Sequence, residues 1–226
     1  MPKLSFKNLC HKPQSRDKLL AVAIDLFWLE GFASVSVDDI CKSAKVHKGS
    51  FYHYFSTKSD LAIATLEKLW ADNKPYFDQA FSPASPPADR VTAYADLVFR
   101  KQSEKMEKYG RVIGCPFSNY GAEMCANNDL ARDKMNQMMD FCSRYFETLI
   151  RDYAAASGVA IIDASPIAQE MQSYVMGVLT SAKIRNDLDI IRRDLAPGLM
   201  RYLTPLTIAT TPLSQYTTSP QGHLHA

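Results

Sequence analysis

The sequence predicts an all-α protein: an N-terminal three-helix helix-turn-helix domain followed by a helical body. Three observations predict the class. Apolar residues recur three and four positions apart through most of the chain, the spacing of one helix face. No stretch alternates apolar and polar residues as a half-buried strand would. Gly31, Gly110 and Gly158 stand where periodic stretches stop, the usual place for a glycine after a helix.

Residues 1–14 read as a flexible basic arm ending at Pro13. Such an arm can lie along DNA, or simply be a frayed terminus. A first helix over 15–30 carries Leu19, Leu20, Ala23, Ile24 and Phe27 on one face, and Gly31 follows it. Ser36 is an N-cap, and Asp39 three residues on completes a capping box. Ile40, Ala44 and Val46 are the apolar positions of this short helix and its exit. The next helix begins near His47. Phe51 and Phe55, four apart, share its buried face, while Lys48, Ser50, Tyr52 and His53 fall on the others. That outer surface is small, basic and aromatic, with no carboxylate. It suits a major groove and its phosphate edges.

Asp60 opens a helix to about residue 73 with Leu61, Ala64, Leu66, Leu69 and Trp70, and Pro75 is expected to end or kink it. Residues 82–87 form a loop. Helices are expected over 88–109, from Pro116 to about 126, over 130–156 and over 166–186. A last one, over 187–203, is interrupted by Pro197-Gly198. Beyond Pro205 the Thr-, Ser-, Pro- and Gln-rich chain, 206–226, reads as a disordered tail. The division is thus 15–59 for the helix-turn-helix domain and 60–205 for the body.

The run Lys48-Gly49-Ser50-Phe51-Tyr52-His53-Tyr54-Phe55, with Lys58 after it, closely resembles the recognition helix of TetR-family transcriptional regulators. Two positions depart from that pattern. The turn residue that is often Gly is Lys45, which implies a non-glycine at positive φ or a different turn. His47 replaces the usual Ser or Pro. The resemblance implies a regulator, by default a repressor, that binds a double-stranded, palindromic operator as a homodimer. It places Ser36, Val37, His47, Lys48, Gly49, Ser50, Tyr52, His53 and Lys58 against DNA. It also implies that the last two long helices pair with their copies in a four-helix bundle. The small residues Ser173, Gly177, Ser181 and Ala182 would permit that, and equally a close contact within the chain.

Charge distribution agrees with a nucleic-acid partner at one end. Residues 1–58 hold nine Lys and Arg against five Asp and Glu, while the remaining residues hold seventeen against nineteen. Hydrophobic residues make up 46% of the chain, but no run approaches the ~20 apolar residues of a membrane helix. Five Cys without framework spacing point to a reducing cytoplasm, and neither a metal site nor a cofactor is expected. All five His lie in the arm, the recognition helix or the tail, so the body has no base for Cys or Ser chemistry. An enzyme is therefore not expected.

The run 114–124, Gly-Cys-Pro-Phe-Ser-Asn-Tyr-Gly-Ala-Glu-Met, resembles a narrower group within the family, as does the later Ala182-Lys183. Some members of that group respond to electrophiles or oxidants through the Cys, and others bind small molecules. This implies an apolar or electrophilic effector, sensed by Cys115 with Phe117, Tyr120 and Lys183. The Met and aromatic residues at 135–146, Met138 and Phe141 among them, are more often core than pocket, but in a helical body with a cavity they are also what would line an apolar ligand site. With Pro116 at the first helical position, Cys115 would be the N-cap, where free amides favour a thiolate. The other reading makes it a small buried residue. Glu123 is the one carboxylate near it, and reads equally well as a surface group. A regulator without a small-molecule signal, constitutive or controlled by a protein partner, is the alternative function.

Overall fold

The computed structural model describes residues 15–126, 128–161 and 163–208, and every regular element among them is helical. The expected arm, 1–14, and the tail from residue 209 lie outside the described residues. The helices are α1 (Ser15–Glu30), α2 (Val37–Ala44), α3 (Lys48–Tyr54), α4 (Lys58–Ala80), α5 (Pro87–Tyr109), α6 (Ala122–Cys125), α7 (Asp129–Ala156), α8 (Ser165–Arg185) and α9 (Asp189–Ile208), with a π turn over Phe117–Gly121 just before α6.

The chain forms two compact units. The first runs to Asn73 and takes up Pro116–Asn136; the second comprises Lys74–Cys115 and the chain from Gln137. The expected boundary at 59/60 is therefore displaced into α4, and a later segment joins the helix-turn-helix. The reason is burial. Tyr120 is fully buried and its ring lies 5.7 Å from that of Phe27, centroid to centroid.

In the first unit α1 packs on α2 and α3 through Leu19, Leu20, Ala23 and Phe27, with Ile40, Phe51 and Leu61 also at the centre. The capping box at Ser36 forms as expected. Asp39 N–H donates to Ser36 Oγ at 3.1 Å, and Ser36 N–H donates to Asp39 Oδ2 at 3.0 Å. These bonds to Ser36 hold the Asp39 carboxyl below the usual carboxylate range. Lys45 takes the left-handed conformation, φ 53°, and its N–H donates to the end of α2. The turn thus keeps its glycine geometry with a lysine in place.

In the second unit α8 packs on α9 and α9 on α5. An aromatic cluster of Phe77, Phe81, Tyr94, Tyr145 and Phe146 fills its interior, with ring centroids 5.1–6.3 Å apart. Buried Arg90 donates to the carbonyls of Pro83 and Ser85 and pairs with Asp152, which fastens the 82–87 loop.

α4 does not end at Pro75, and the expected interruption of α9 at Pro197 is not found. α4 continues through Pro75 to Ala80, and α9 continues through Pro197 and Pro205 to Ile208. A helix survives a proline when side chains hold both flanks. Beyond Pro75, Phe77 meets Tyr94 and Tyr145 edge-on, and Lys74 pairs with Asp78 at 2.7 Å. Beside Pro197, Gly198 lies under Tyr174, whose hydroxyl sits where a Cβ would be and donates to Asp194 O at 2.8 Å. Residues 206–208, expected in the tail, are the last turn of α9.

Candidate nucleic-acid interface and effector site

The recognition helix α3 is seven residues long, too short to persist without packing. Phe51 and Phe55 supply that packing. Both are buried, with centroids 6.0 Å apart, and Arg16 of α1 lies over the Phe55 ring. Their burial turns His47, Lys48, Gly49, Tyr52 and His53 outward; Ser50 is half-buried. Tyr52 is 52% exposed, with its ring edge braced on Phe51. A Cβ added at Gly49 would meet nothing within 4 Å.

The structure corrects three expectations for this surface. It does hold a carboxylate, because Asp38 of α2 pairs with Lys48 at 2.8 Å. That partner raises the Lys48 pKa. Ser36 spends its hydroxyl on the cap, donating to Asp39 Oδ2 at 2.6 Å, and leaves half-buried Val37 and the α2 amides at the edge. Lys58 does not stand out toward a phosphate. It is half-buried, and its Nζ donates to Phe32 O at 2.7 Å and Val35 O at 2.8 Å while lying 4.2 Å from the Phe32 ring centroid. Burial lowers its pKa, and Glu123 acts against that. Lys58 is a clamp on the loop between α1 and α2. Lys58→Met should lower the thermal midpoint of the first unit, because two carbonyls lose their donor. The salt slope of DNA binding should stay within 0.3 of wild type in an anisotropy titration, whereas a lost phosphate contact would flatten it by about 0.9.

The six candidate effector residues divide between the units. Phe117 and Tyr120 belong to the first; Cys115, Met138, Phe141 and Lys183 belong to the second. Tyr120 is core. Its hydroxyl lies 3.3 Å from Thr65 Oγ1, which already donates to Ala62 O, so Tyr120 is the donor. Met138 is buried, but Phe141 is 40% exposed beneath the Arg144 guanidinium.

Cys115 is buried and is not an N-cap. Pro116 occupies the cap in a helical conformation, and Gly121 N–H reaches back five residues to Pro116 O at 3.2 Å. The helix-dipole argument for a thiolate therefore lapses. What precedes Cys115 is better defined. Gly114 has φ 72°, and Gln102 brackets it, its Nε2 donating to Gly114 O at 3.0 Å and its Oε1 accepting from Gly114 N–H at 3.1 Å. A Cβ on Gly114 would lie 3.3 Å from the Lys183 stem. Only glycine fits, so the Gly-Cys pair has a local cause, and Lys183 does lie beside it. Cys142 is a second thiol in this unit, and burial pushes its pKa up to about 12. No group of three potential metal-binding side chains occurs among the described residues. Among them, no helix is long and apolar enough to cross a membrane.

Comparison with known proteins places the chain among relatives. A family model for bacterial regulatory proteins of the tetR family matches residues 19–65, and one for a tetracyclin repressor-like C-terminal domain matches 87–196. The chain is 33% identical over 155 residues to the transcriptional regulator AcuR of Cereibacter sphaeroides, a stretch that is 68% of either chain. It is 30% identical over 188 residues to the HTH-type transcriptional repressor NemR of Escherichia coli, covering 80% of this chain and 90% of that one. Among solved structures, a regulatory protein TetR from Rhodobacter sphaeroides matches with TM-score 0.70 at 27% identity, over 86% of this chain and 99% of the other. The reduced form of E. coli NemR matches with TM-score 0.67 at 21% identity, over 87% and 96%.

Proposed function

Given that this chain belongs to the TetR family of bacterial regulatory proteins, and is thus a DNA-binding transcriptional regulator, we propose that it is a repressor. In this reading it holds a palindromic operator as a homodimer and lets go when its body takes up an electrophile or an apolar small molecule. The observation that carries the DNA part is α3 itself. Lys48, Gly49, Tyr52 and His53 project from a helix anchored by Phe51 and Phe55. Gly49 is informative because a Cβ there would meet nothing within 4 Å among the described residues, and glycine costs a helix about 1 kcal/mol against alanine. Close approach of the α3 backbone to DNA gives it a use. His47, Ser50 and the start of α2 at Val37 complete the surface. Two copies are needed, since one helix reads only a few base pairs.

The outward face of α8 supports dimerisation. Ser173, Gly177, Thr180 and Ile184 are exposed along it, Ile184 by 78%. An apolar side chain that open on a stripe of small residues suits a helix partner.

The signal is assigned to Cys115. The Lys183 stem lies beside Gly114, the neighbour of Cys115, and the bond from Cys115 to Pro116 is where the chain leaves one compact unit for the other. One solved relative is a reduced form, so redox state is already a distinction drawn for that protein. The test uses a duplex selected by the wild-type chain from a random-sequence library and N-ethylmaleimide as electrophile. The thiol adds across the maleimide double bond and its proton ends on the ring carbon. Treated wild type should lose at least tenfold in affinity, and Cys115→Ser should not respond. Equal loss in both proteins would place the signal elsewhere. No loss in either would favour the regulator without a small-molecule signal.

A further inference from the structure

The loop between α1 and α2 decides where the helix-turn-helix begins, and it is held from two sides by opposite charges. On one side the Lys58 ammonium takes the carbonyls of Phe32 and Val35, at 2.7 and 2.8 Å. On the other the Glu123 carboxylate takes one amide of the same loop. Ala33 N–H donates to Glu123 Oε2 at 2.8 Å. The two side chains also feel each other, since Glu123 favours the charged form of Lys58.

The backbone is shaped to admit the carboxylate. Gly31 has φ 90°, and a Cβ there would lie 3.0 Å from Glu123 Oε1. The backbone angle calls for glycine, and a side chain there would press on the carboxylate that lies against it. Ser36, the cap of α2, comes three residues after Ala33, and α2 then sets α3. Glu123 itself lies on α6, directly after the π turn that begins two residues past Cys115. Tyr120, three residues before it, anchors this segment in the first unit.

We propose that Glu123 is a positioning residue for DNA binding: its carboxylate, with Lys58, holds the loop 31–35 in the conformation that presents α3, and freeing Ala33 N–H from it lowers operator affinity. This rests on the DNA-binding reading above and not on the identity of the signal. It also says where a signal arising at Cys115 would act. Displacing the 117–125 segment withdraws the carboxylate, and the loop relaxes.

The test is operator anisotropy on the full chain, with the same selected duplex and no effector. Glu123→Ala should bind at least fivefold more weakly, with a salt slope within 0.3 of wild type, because no phosphate contact is lost. Glu123→Gln keeps an acceptor for Ala33 N–H and should recover to within twofold. Hydrogen exchange should speed up over residues 32–36 in Glu123→Ala and stay slow in Glu123→Gln. Circular dichroism must show both variants folded at the assay temperature. Three results would overturn the proposal: full affinity in Glu123→Ala, equal loss in Glu123→Gln, or an affinity loss accounted for by the unfolded fraction. A wild type that ignores N-ethylmaleimide would defeat the assigned signal and leave this result standing. A wild type for which no duplex can be selected would defeat the DNA reading first.

Discussion

Replacing Lys48 by alanine should weaken operator binding about tenfold near 0.15 M salt and flatten the log–log salt slope by about 0.9, the value for one released counterion. Tyr52→Ala should weaken binding by a similar factor and leave the slope unchanged, because a phenol contributes a neutral hydrogen bond. The contrast separates charge from geometry on a single helix. Lys48 and Tyr52 sit four apart, on the same open face of α3. The Lys48 ammonium is not idle in the free protein, where it pairs with Asp38 at 2.8 Å. Both members of that pair are well exposed, so the pair itself contributes little. Its effect is to hold the ammonium at the edge of α2 and α3, where on the proposed reading a phosphate would replace Asp38. Anisotropy titrations at four or more salt concentrations check the result. Two variants that both match wild type within twofold would remove α3 from the interface.

The second large effect is on folding. Phe51→Ala should cost the first unit about 3–5 kcal/mol, the usual loss for a fully buried phenylalanine. That is comparable with the whole stability of a small domain, so operator binding should disappear at 37 °C. Phe51 meets Tyr52 edge-on and Phe55 at a tilt, and α3 is too short to stay helical without it. The second unit has its own core, including the Phe77–Phe81–Tyr94–Phe146 cluster. Urea unfolding followed by circular dichroism should therefore show an early transition for the variant and a later one unchanged from wild type. A loss below 1 kcal/mol would mean that Phe51 is not the anchor of α3.

The fold was largely legible because helices are local. Periodicity and Gly31 place both ends of α1, and the Ser36–Asp39 box places the start of α2, as observed. The prolines misled because their penalty is local while the compensation is tertiary. Nothing near Pro75 or Pro197 in sequence announces that Tyr94, Tyr145 or Tyr174 will brace those helices.

For the site, residue type and spacing identified the outward face of α3, since a short helix with two buried Phe has only one way to turn the rest. The partners of those side chains were not legible. Lys58 looks like a phosphate ligand in a list of residues, and becomes a clamp only because Phe32 O and Val35 O come within 2.8 Å of it. Tyr120 looks like a pocket aromatic and proves to be core against Phe27 and Thr65.

By itself, the sequence determined that this is a helical protein with a short helix that starts near His47 and buries Phe51 and Phe55. Those properties are set by contacts three and four residues apart. Only the tertiary structure decided that the 116–136 segment belongs with that helix, that Cys115 is buried and not a cap, and that Glu123 reaches a loop ninety residues earlier. Contacts at that distance depend on how whole helices pack, and no short pattern of residues encodes them.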